Sequence, residues 1–328
     1  MKFDDHVGND SRGSEGPVDL DDASVAGRSA LKRYPEAMSA GSEPRTSDFA
    51  TTIDGKHLAF QVRRTVARRV AEGKRPVRLD AVLAGGDRGA DIYAHNQRKT
   101  CAAVGIEYHL HRLPAEADFE MVEALVERLN ADPEVTAVMV HLPLPDGVEA
   151  ERIQALIDET KDVEGVNPAN IGNIVYGRRS LVPCTALASV EMIESTGIEL
   201  RGKRCVIVGA SNIVGKPIAV LLMRAEATVI STNKHTEDLA GLTRTADVLV
   251  SAAGVPGLIT ADMVKPGAIV VDVGINRILG EDGKRRTVGD VDHDEVVAVA
   301  GHLSPVPGGV GPMTVAMLLR NTVDAAAR

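Results

Sequence analysis

Most of the chain alternates short apolar runs with amphipathic ones. HLAFQVRRTVARRVAEG carries apolar residues near helical spacing and ends on Gly73, a glycine stop typical of helices. RLDAVLA follows as a strand, DIYAHNQRKTCAAVG as a helix and EYHLHRL as a strand. DFEMVEALVERLNAD predicts a helix, and TAVMVHLPLP a strand stopped by its prolines. After a connection near KDVEGVNPANIG, a helix is expected in TALASVEMIESTG. A second alternating run then reads RCVIVG strand, IVGKPIAVLLMRA helix, ATVIS strand, TEDLAGLTR helix, and DVLVSAA and AIVVDVG strands. The loop SPVPGGVGP and a last helix, MTVAMLLRNTVDAAA, complete the pattern. The expected fold class is α/β: two α/β domains around a cleft, the second Rossmann-like, with parallel sheets covered by helices.

Residues 1–48 show no such periodicity and are rich in Gly, Ser, Asp, Pro and Ala. They are expected to form a flexible tail, with a short helix in SALKRYPEA interrupted at Pro35. Aromatic residues make up 2% of the 328 and Trp is absent, so the core must rest on Val, Leu, Ile and Ala. The net charge of −9 argues against nucleic-acid or membrane-surface partners, because phosphate would repel it. No apolar run approaches the ~20 residues that span a bilayer, and MKFDDHVGND does not resemble a signal peptide. Cys101, Cys184 and Cys205 lie far apart without CxxC spacing. Reduced, core-filling thiols in a cytoplasmic protein, with no metal site, are the expectation.

Two stretches carry candidate chemistry. RCVIVGASNIVGKPIA reads as strand, tight turn and helix start, an arrangement that aims backbone N–H groups at a pyrophosphate. The strict GxGxxG pattern is not met: Gly209 is followed by Ser211, Val214 and Gly215. The next strand ends in Ser231, Thr232, Asn233 and Lys234 with no carboxylate before Glu237. An acid there would bind the ribose hydroxyls of NAD, whereas Lys234 suits a 2′-phosphate, so NADP is expected. The second stretch is DIYAHNQRK, where Tyr93 and Gln97 share a helix face one turn apart. Tyr93 can stack on a flat ligand, but Gln97 cannot trade protons near neutral pH.

From about Phe49 onward the chain resembles the methylenetetrahydrofolate dehydrogenase/cyclohydrolase family. The resemblance lies in IDGK at 53–56, the Tyr93 helix, HLPLP at 141–145, KDVEG at 161–165, GASNIVGKP, SAAGVPG, GAIVVDVGINR, VGDV and PVPGGVGPMTVAMLL. It implies a homodimer binding a folate-type substrate between a catalytic domain (49–185 plus 306–328) and a nucleotide domain (186–305). It implies NADP-dependent oxidation of 5,10-methylenetetrahydrofolate to the methenyl cation, which many family members then hydrolyse. By the same resemblance Tyr93, His141, Leu142, Pro143, Glu164, Pro307, Gly308, Gly309 and Val310 line the substrate site. Gly209, Ala210, Ser211, Ile213, Val214, Lys234, Ala253, Gly254, Gly274, Ile275 and Thr314 would hold the cofactor.

The chain departs from the family where acid–base chemistry is expected. The family's Tyr-x-x-x-Lys lysine is Gln97, the glutamine before the LPLP run is His141, and the second aspartate of KDVDG is Glu164. Arg88, Gly89 and Ala90 replace a Pro-Ala-Ser turn, and Ala186 replaces the second proline of PCTP. Lys99 is no substitute for the lysine, because it falls on a different helix face from Tyr93. Tyr93, Gln97, His141 and Glu164 are therefore the candidate catalytic group. The leading expectation is a dehydrogenase with weak or absent cyclohydrolase activity, since hydride transfer needs aligned carbons but hydrolysis needs an activated water. Two readings stay open beside it. One is a redirected or hydrolase-biased enzyme using His141 on the methenyl cation or another substrate. The other is a nucleotide-binding homologue without catalysis.

Overall fold

The computed structural model describes residues 49–86, 88–178, 180–280 and 283–327. The SALKRYPEA helix and the rest of the expected tail lie outside them. Eleven strands and ten α-helices alternate among the described residues. The first group is β1 (Thr51–Thr52), α1 (Gly55–Glu72), β2 (Arg78–Ala84), α2 (Arg88–Ala103), β3 (Glu107–Leu113), α3 (Phe119–Ala131) and β4 (Ala137–Val140). Three further helices follow: α4 (Ala150–Leu156), α5 (Pro168–Tyr176) and α6 (Cys184–Glu194). The next group is β5 (Arg204–Val208), α7 (Gly215–Arg224), β6 (Thr228–Thr232), α8 (Leu239–Thr243), β7 (Val248–Ser251) and β8 (Ile269–Asp272). The last comprises β9 (Asn276–Leu279), β10 (Arg285–Val288), α9 (His293–Val296), β11 (His302–Leu303) and α10 (Val310–Ala326).

The expected parallel α/β architecture is present. One sheet has three parallel strands in the order β3-β2-β4. The other has six, β1-β11-β8-β7-β5-β6, all parallel. In the larger sheet β6 lies on one side of β5 and β7 on the other, so the order reverses at β5. Ligands of open α/β sheets bind at such a reversal, beyond the carboxyl ends of the strands. Strands β2, β4, β5, β7 and β8 are buried almost throughout, as runs such as AVLA, VIV and VLV require when helices cover both sheet faces.

Helix α10 packs against α1 and α6, and α6 against α7. One apolar cluster runs through this helical layer, joining Leu79 and Ala81 of the small sheet to Cys205 and Ile207 of the large one. Cys101, Cys184 and Cys205 are free and buried in it, as expected of core thiols. No helix among the described residues is long and apolar enough to cross a membrane.

Three elements differ from the sequence reading. TAVMVHLPLP is a strand only over Ala137–Val140, because Pro143 and Pro145 cannot donate to a ladder. The last helix starts at Val310, inside the expected SPVPGGVGP loop, since Pro312 is tolerated in a first turn whose N–H groups are free anyway. The antiparallel pair β9–β10 was not expected; its residues are largely exposed and lack the apolar run of a buried strand.

Asn321 of α10 anchors the connection that follows β4. Its Nδ2 donates to Val163 O at 2.8 Å and to Val182 O at 2.9 Å, and the residue is buried. Asn321→Leu leaves both carbonyls without this donor, a loss of about 1–3 kcal/mol per unpaired buried group. Urea unfolding should show the midpoint fall; an unchanged midpoint would mean the two carbonyls find other donors.

Candidate active site and nucleotide turn

Two sites form at the carboxyl ends of the two sheets. In the smaller sheet, α2 follows β2 and brings Tyr93 against His141 at that edge, with Gln97 one helical turn further along. His141 stands one residue beyond β4, its N–H held by Val82 O at 2.8 Å. Glu164 lies in the turn after Asp162, which bridges to Val138 of β4. The Tyr93 and His141 rings meet edge to face, with centroids 5.7 Å apart. Tyr93 is 45% exposed, so one face of its ring remains open to a ligand. Burial, then the Glu164 carboxylate, raises its phenol to about 12, so it stays neutral.

Gln97 is 3% exposed, and neither its Oε1 nor its Nε2 has a hydrogen-bond partner. Lys99 faces solvent, as its different helix face requires. Glu164 Oε2 is likewise buried and unpartnered. Burial raises the Glu164 carboxyl to about 7, with the nearby Asp162 adding to it and a hydrogen bond from Val140 N–H opposing. Burial, with help from Arg112, lowers His141 to about 4, so its imidazole is neutral at physiological pH.

The turn that carries Glu164 is built around Asp162. That carboxylate is fully buried and accepts from Gly165 N at 3.1 Å, Asn167 N at 2.7 Å and Asn170 Nδ2 at 3.0 Å. Gly165 has φ +69°, and a Cβ there would overlap the Val182–Pro183 peptide, so only glycine closes the turn. Cys184 N–H donates to Glu164 O at 3.3 Å and completes the enclosure.

The second site lies at the sheet reversal. Gly209 has φ +104°, and a Cβ on it would overlap Ala252 O; one on Gly215 would overlap Gly209 O. Helix α7 therefore starts hard against the turn, with no side-chain cap from Val214; Ser211 Oγ accepts weakly from Gly215 N at 3.4 Å. Ile213 is exposed beside this start. Lys216 N donates to Ser211 O at 3.1 Å and Pro217 has no N–H, so a pyrophosphate here would meet the backbone of the Gly209–Gly215 turn rather than free donors of the helix itself. Lys234 is exposed two residues past β6, at the same sheet end, where Gly209 N donates to Thr232 O at 3.1 Å.

Sequence reasoning missed the groups that shape the neighbouring loops. Asp290 accepts from Ala253 N at 2.7 Å, Gly254 N at 3.1 Å, Ser251 Oγ at 3.1 Å and Asn276 Nδ2 at 3.0 Å. Asp272 accepts from Gly274 N, Asp290 N and Val291 N, each within 3.0 Å. The amides of Ala253, Gly254 and Gly274 are thus engaged internally. What these residues offer a ligand is close backbone approach, not donors. A cavity of about 80 Å³ is lined by Gly274, Ile275, Pro307, Gly308, Gly309 and Val310, bringing expected cofactor and substrate residues together. Thr314 is turned inward, its Oγ1 donating to Val310 O at 3.2 Å. A larger recess of about 420 Å³, lined by Ile278, Val288, Val291, His293 and Leu303, adjoins that cavity and shares Asp272 and Val306 with it. Tyr108 was also missed, and its hydroxyl sits 3.0 Å from His141 Nε2. The two are far apart in sequence, and only the sheet joins them.

Residues 53–164 match the tetrahydrofolate dehydrogenase/cyclohydrolase catalytic domain, and 183–328 match the NAD(P)-binding domain of the same family. The chain belongs to the tetrahydrofolate dehydrogenase/cyclohydrolase family. It is 50% identical over 280 residues to bifunctional protein FolD 1 of Rubrobacter xylanophilus, covering 84% of this chain and 97% of that protein. The crystal structure of the bifunctional enzyme FolD from Campylobacter jejuni superposes with a TM-score of 0.81 at 40% identity, covering 85% of this chain and 99% of the other. The Trypanosoma brucei FolD, solved with NADP cofactor and inhibitor, gives 0.79 at 36% identity, covering 85% and 99%. This member of the tetrahydrofolate dehydrogenase/cyclohydrolase family thus carries both the catalytic and the NAD(P)-binding domain of that family.

Glu164 generates a pH prediction. Its carboxyl is raised from 4.5 to about 7, so between those values the folded chain holds a proton that the unfolded chain releases. Stability contributed by the protonated form is therefore lost as pH rises through about 7. Glu164→Gln should raise the melting temperature more at pH 8 than at pH 5. An equal change at both would mean that Glu164 ionises as an ordinary surface carboxyl.

Proposed function

We propose that the protein oxidises 5,10-methylenetetrahydrofolate to 5,10-methenyltetrahydrofolate with NADP and hydrolyses the product weakly or not at all. The observation that carries this reading is Gln97: a buried, unpartnered amide where the family has lysine. An amide donates and accepts hydrogen bonds but moves no proton at neutral pH. The Trypanosoma brucei dehydrogenase-cyclohydrolase, solved with NADP cofactor and inhibitor, supports the reaction class.

NADP, held by the Gly209–Gly215 turn and Lys234, would supply a hydride acceptor. The chain's own task in oxidation is orientation. Tyr93 stacks on the flat ring system, and the free ends of Gln97 and Glu164 Oε2 hydrogen-bond to its polar atoms. Leu142, Pro143 and the Pro307–Val310 loop close over it. The substrate nitrogen lone pair expels the hydride, so no protein base acts at the reacting carbon. Hydrolysis of the methenyl cation differs: water adds to that carbon and must lose a proton. A positioned base typically contributes ~10²–10⁴-fold to such a step. Gln97 cannot serve, and a His141 ring held near pKa 4 is a poor base at pH 7. We take the catalytic domain as residues 49–185 with 306–328, the nucleotide domain as 186–305, and the working unit as a homodimer.

Steady-state turnover tests this directly. Methylenetetrahydrofolate should reduce NADP, and methenyltetrahydrofolate should decay near its uncatalysed rate in the same preparation. No substrate-dependent NADP reduction, or brisk decay, would overturn the reading. Lys234→Ala should weaken NADP binding and leave NAD binding nearly unchanged, as read by titration calorimetry; equal losses would remove Lys234 from 2′-phosphate recognition.

A further inference from the structure

We propose that Tyr108 is a positioning residue that holds His141 as its Nδ1–H tautomer, making the imidazole a neutral hydrogen-bond donor instead of a base. The two side chains come from different strands of the small sheet, Tyr108 from the edge strand β3 and His141 from the end of β4. The hydroxyl and Nε2 are 3.0 Å apart, an ordinary hydrogen-bond distance.

Which group donates follows from their chemistry. A phenol is a stronger acid than a neutral imidazole, and an imidazole nitrogen is a better acceptor than a phenol oxygen. In the favoured arrangement Tyr108 O–H therefore donates to an unprotonated Nε2, and the ring proton resides on Nδ1. The surroundings act in the same direction. Burial above all pushes the Tyr108 phenol up, so it keeps its proton to donate; Arg98, whose guanidinium lies 5.8 Å from the ring centroid, and Arg112 oppose that shift only in part. Arg112 also opposes protonation of His141. Tyr93 from α2 meets His141 with its ring, and Tyr108 and Arg112 face it from β3. These contacts give imidazolium no carboxylate counter-ion.

With Nε2 occupied, the ring can offer a ligand only Nδ1–H. That is a donor of the kind a glutamine amide supplies, and glutamine is what the family resemblance places at His141. The histidine then keeps a donor at this position without adding a base, provided a tyrosine fixes its tautomer. The consequence for substrate rests on the proposed function; the tautomer itself does not.

Nitrogen-15 NMR of histidine-labelled protein tests the inference, with the His141 signals assigned by their loss in His141→Gln. In the wild-type protein near pH 7, Nε2 should show the shift of an unprotonated ring nitrogen and Nδ1 that of a protonated one. A wild-type spectrum with the proton on Nε2 overturns the inference without any Tyr108 variant. Tyr108→Phe should bring a mixture of tautomers and a higher His141 titration midpoint, because a bond accepted by the neutral ring holds that midpoint down. An unchanged tautomer and midpoint in Tyr108→Phe would also overturn it. For oxidation, Tyr108→Phe should raise KM for methylenetetrahydrofolate several-fold with kcat little changed, the pattern of lost uniform binding. The spectra are recorded without substrate, so a protein that turns over no folate but shows the Nδ1–H tautomer would refute the proposed function alone.

Discussion

A polar atom held out of water without a partner costs about 1–3 kcal/mol, and the catalytic half of this protein keeps three of them on its candidate catalytic residues. Both ends of the Gln97 amide and Glu164 Oε2 are buried and unpaired. Nothing local relieves that cost, so the surrounding frame must hold the groups in place. Asp162 does so with donors from Gly165, Asn167 and Asn170, and Asn321 ties the same turn to the last helix. The frame is fully hydrogen-bonded where the site is not. That contrast is what a ligand-binding site needs before its ligand arrives.

The nucleotide half uses buried carboxylates for a related purpose. Asp272 and Asp290 accept backbone N–H groups from the loops after β7 and β8 and from the turn into β10's following segment. No cation is needed, because several N–H dipoles stabilise each charge. Burial nonetheless raises Asp272 to about 6. These bonds bring Ala253, Gly254 and Gly274 to the sheet edge while consuming their donors. The tight Gly209–Gly215 turn before α7 is left as the backbone a nucleotide would approach.

Much of this was legible in the sequence. VIV, VLV and IVVD are apolar without alternation, as two covered sheet faces demand, and the Gly209 turn announced itself by position between strand and helix. Gln97 and Lys99 were separable by helical spacing alone, and their opposite burial agrees. The rest depended on contacts between distant residues. Tyr108 reads as one position of the strand EYHLHRL, and its partner His141 follows a different strand. Asp290 lay within the VGDV motif, yet its bonds to Ala253 and Gly254 cross from one loop to another. The exposed β9–β10 pair lacks any apolar signal to mark it.

We propose that hydrolysis is lost with the proton-transferring side chain while the remaining site is intact. The most direct measurement is methenyltetrahydrofolate hydrolysis by the Gln97→Lys/His141→Gln double variant, compared with the wild-type protein at equal NADP-dependent oxidation. The second substitution replaces the neutral imidazole by the glutamine that the family resemblance places at that position, so that the new lysine meets its usual neighbour. The double variant should hydrolyse the methenyl cation at least about tenfold faster than the wild-type protein, within the range a positioned base provides. Equal rates, with the wild-type protein already hydrolysing as fast as it oxidises, would contradict the account.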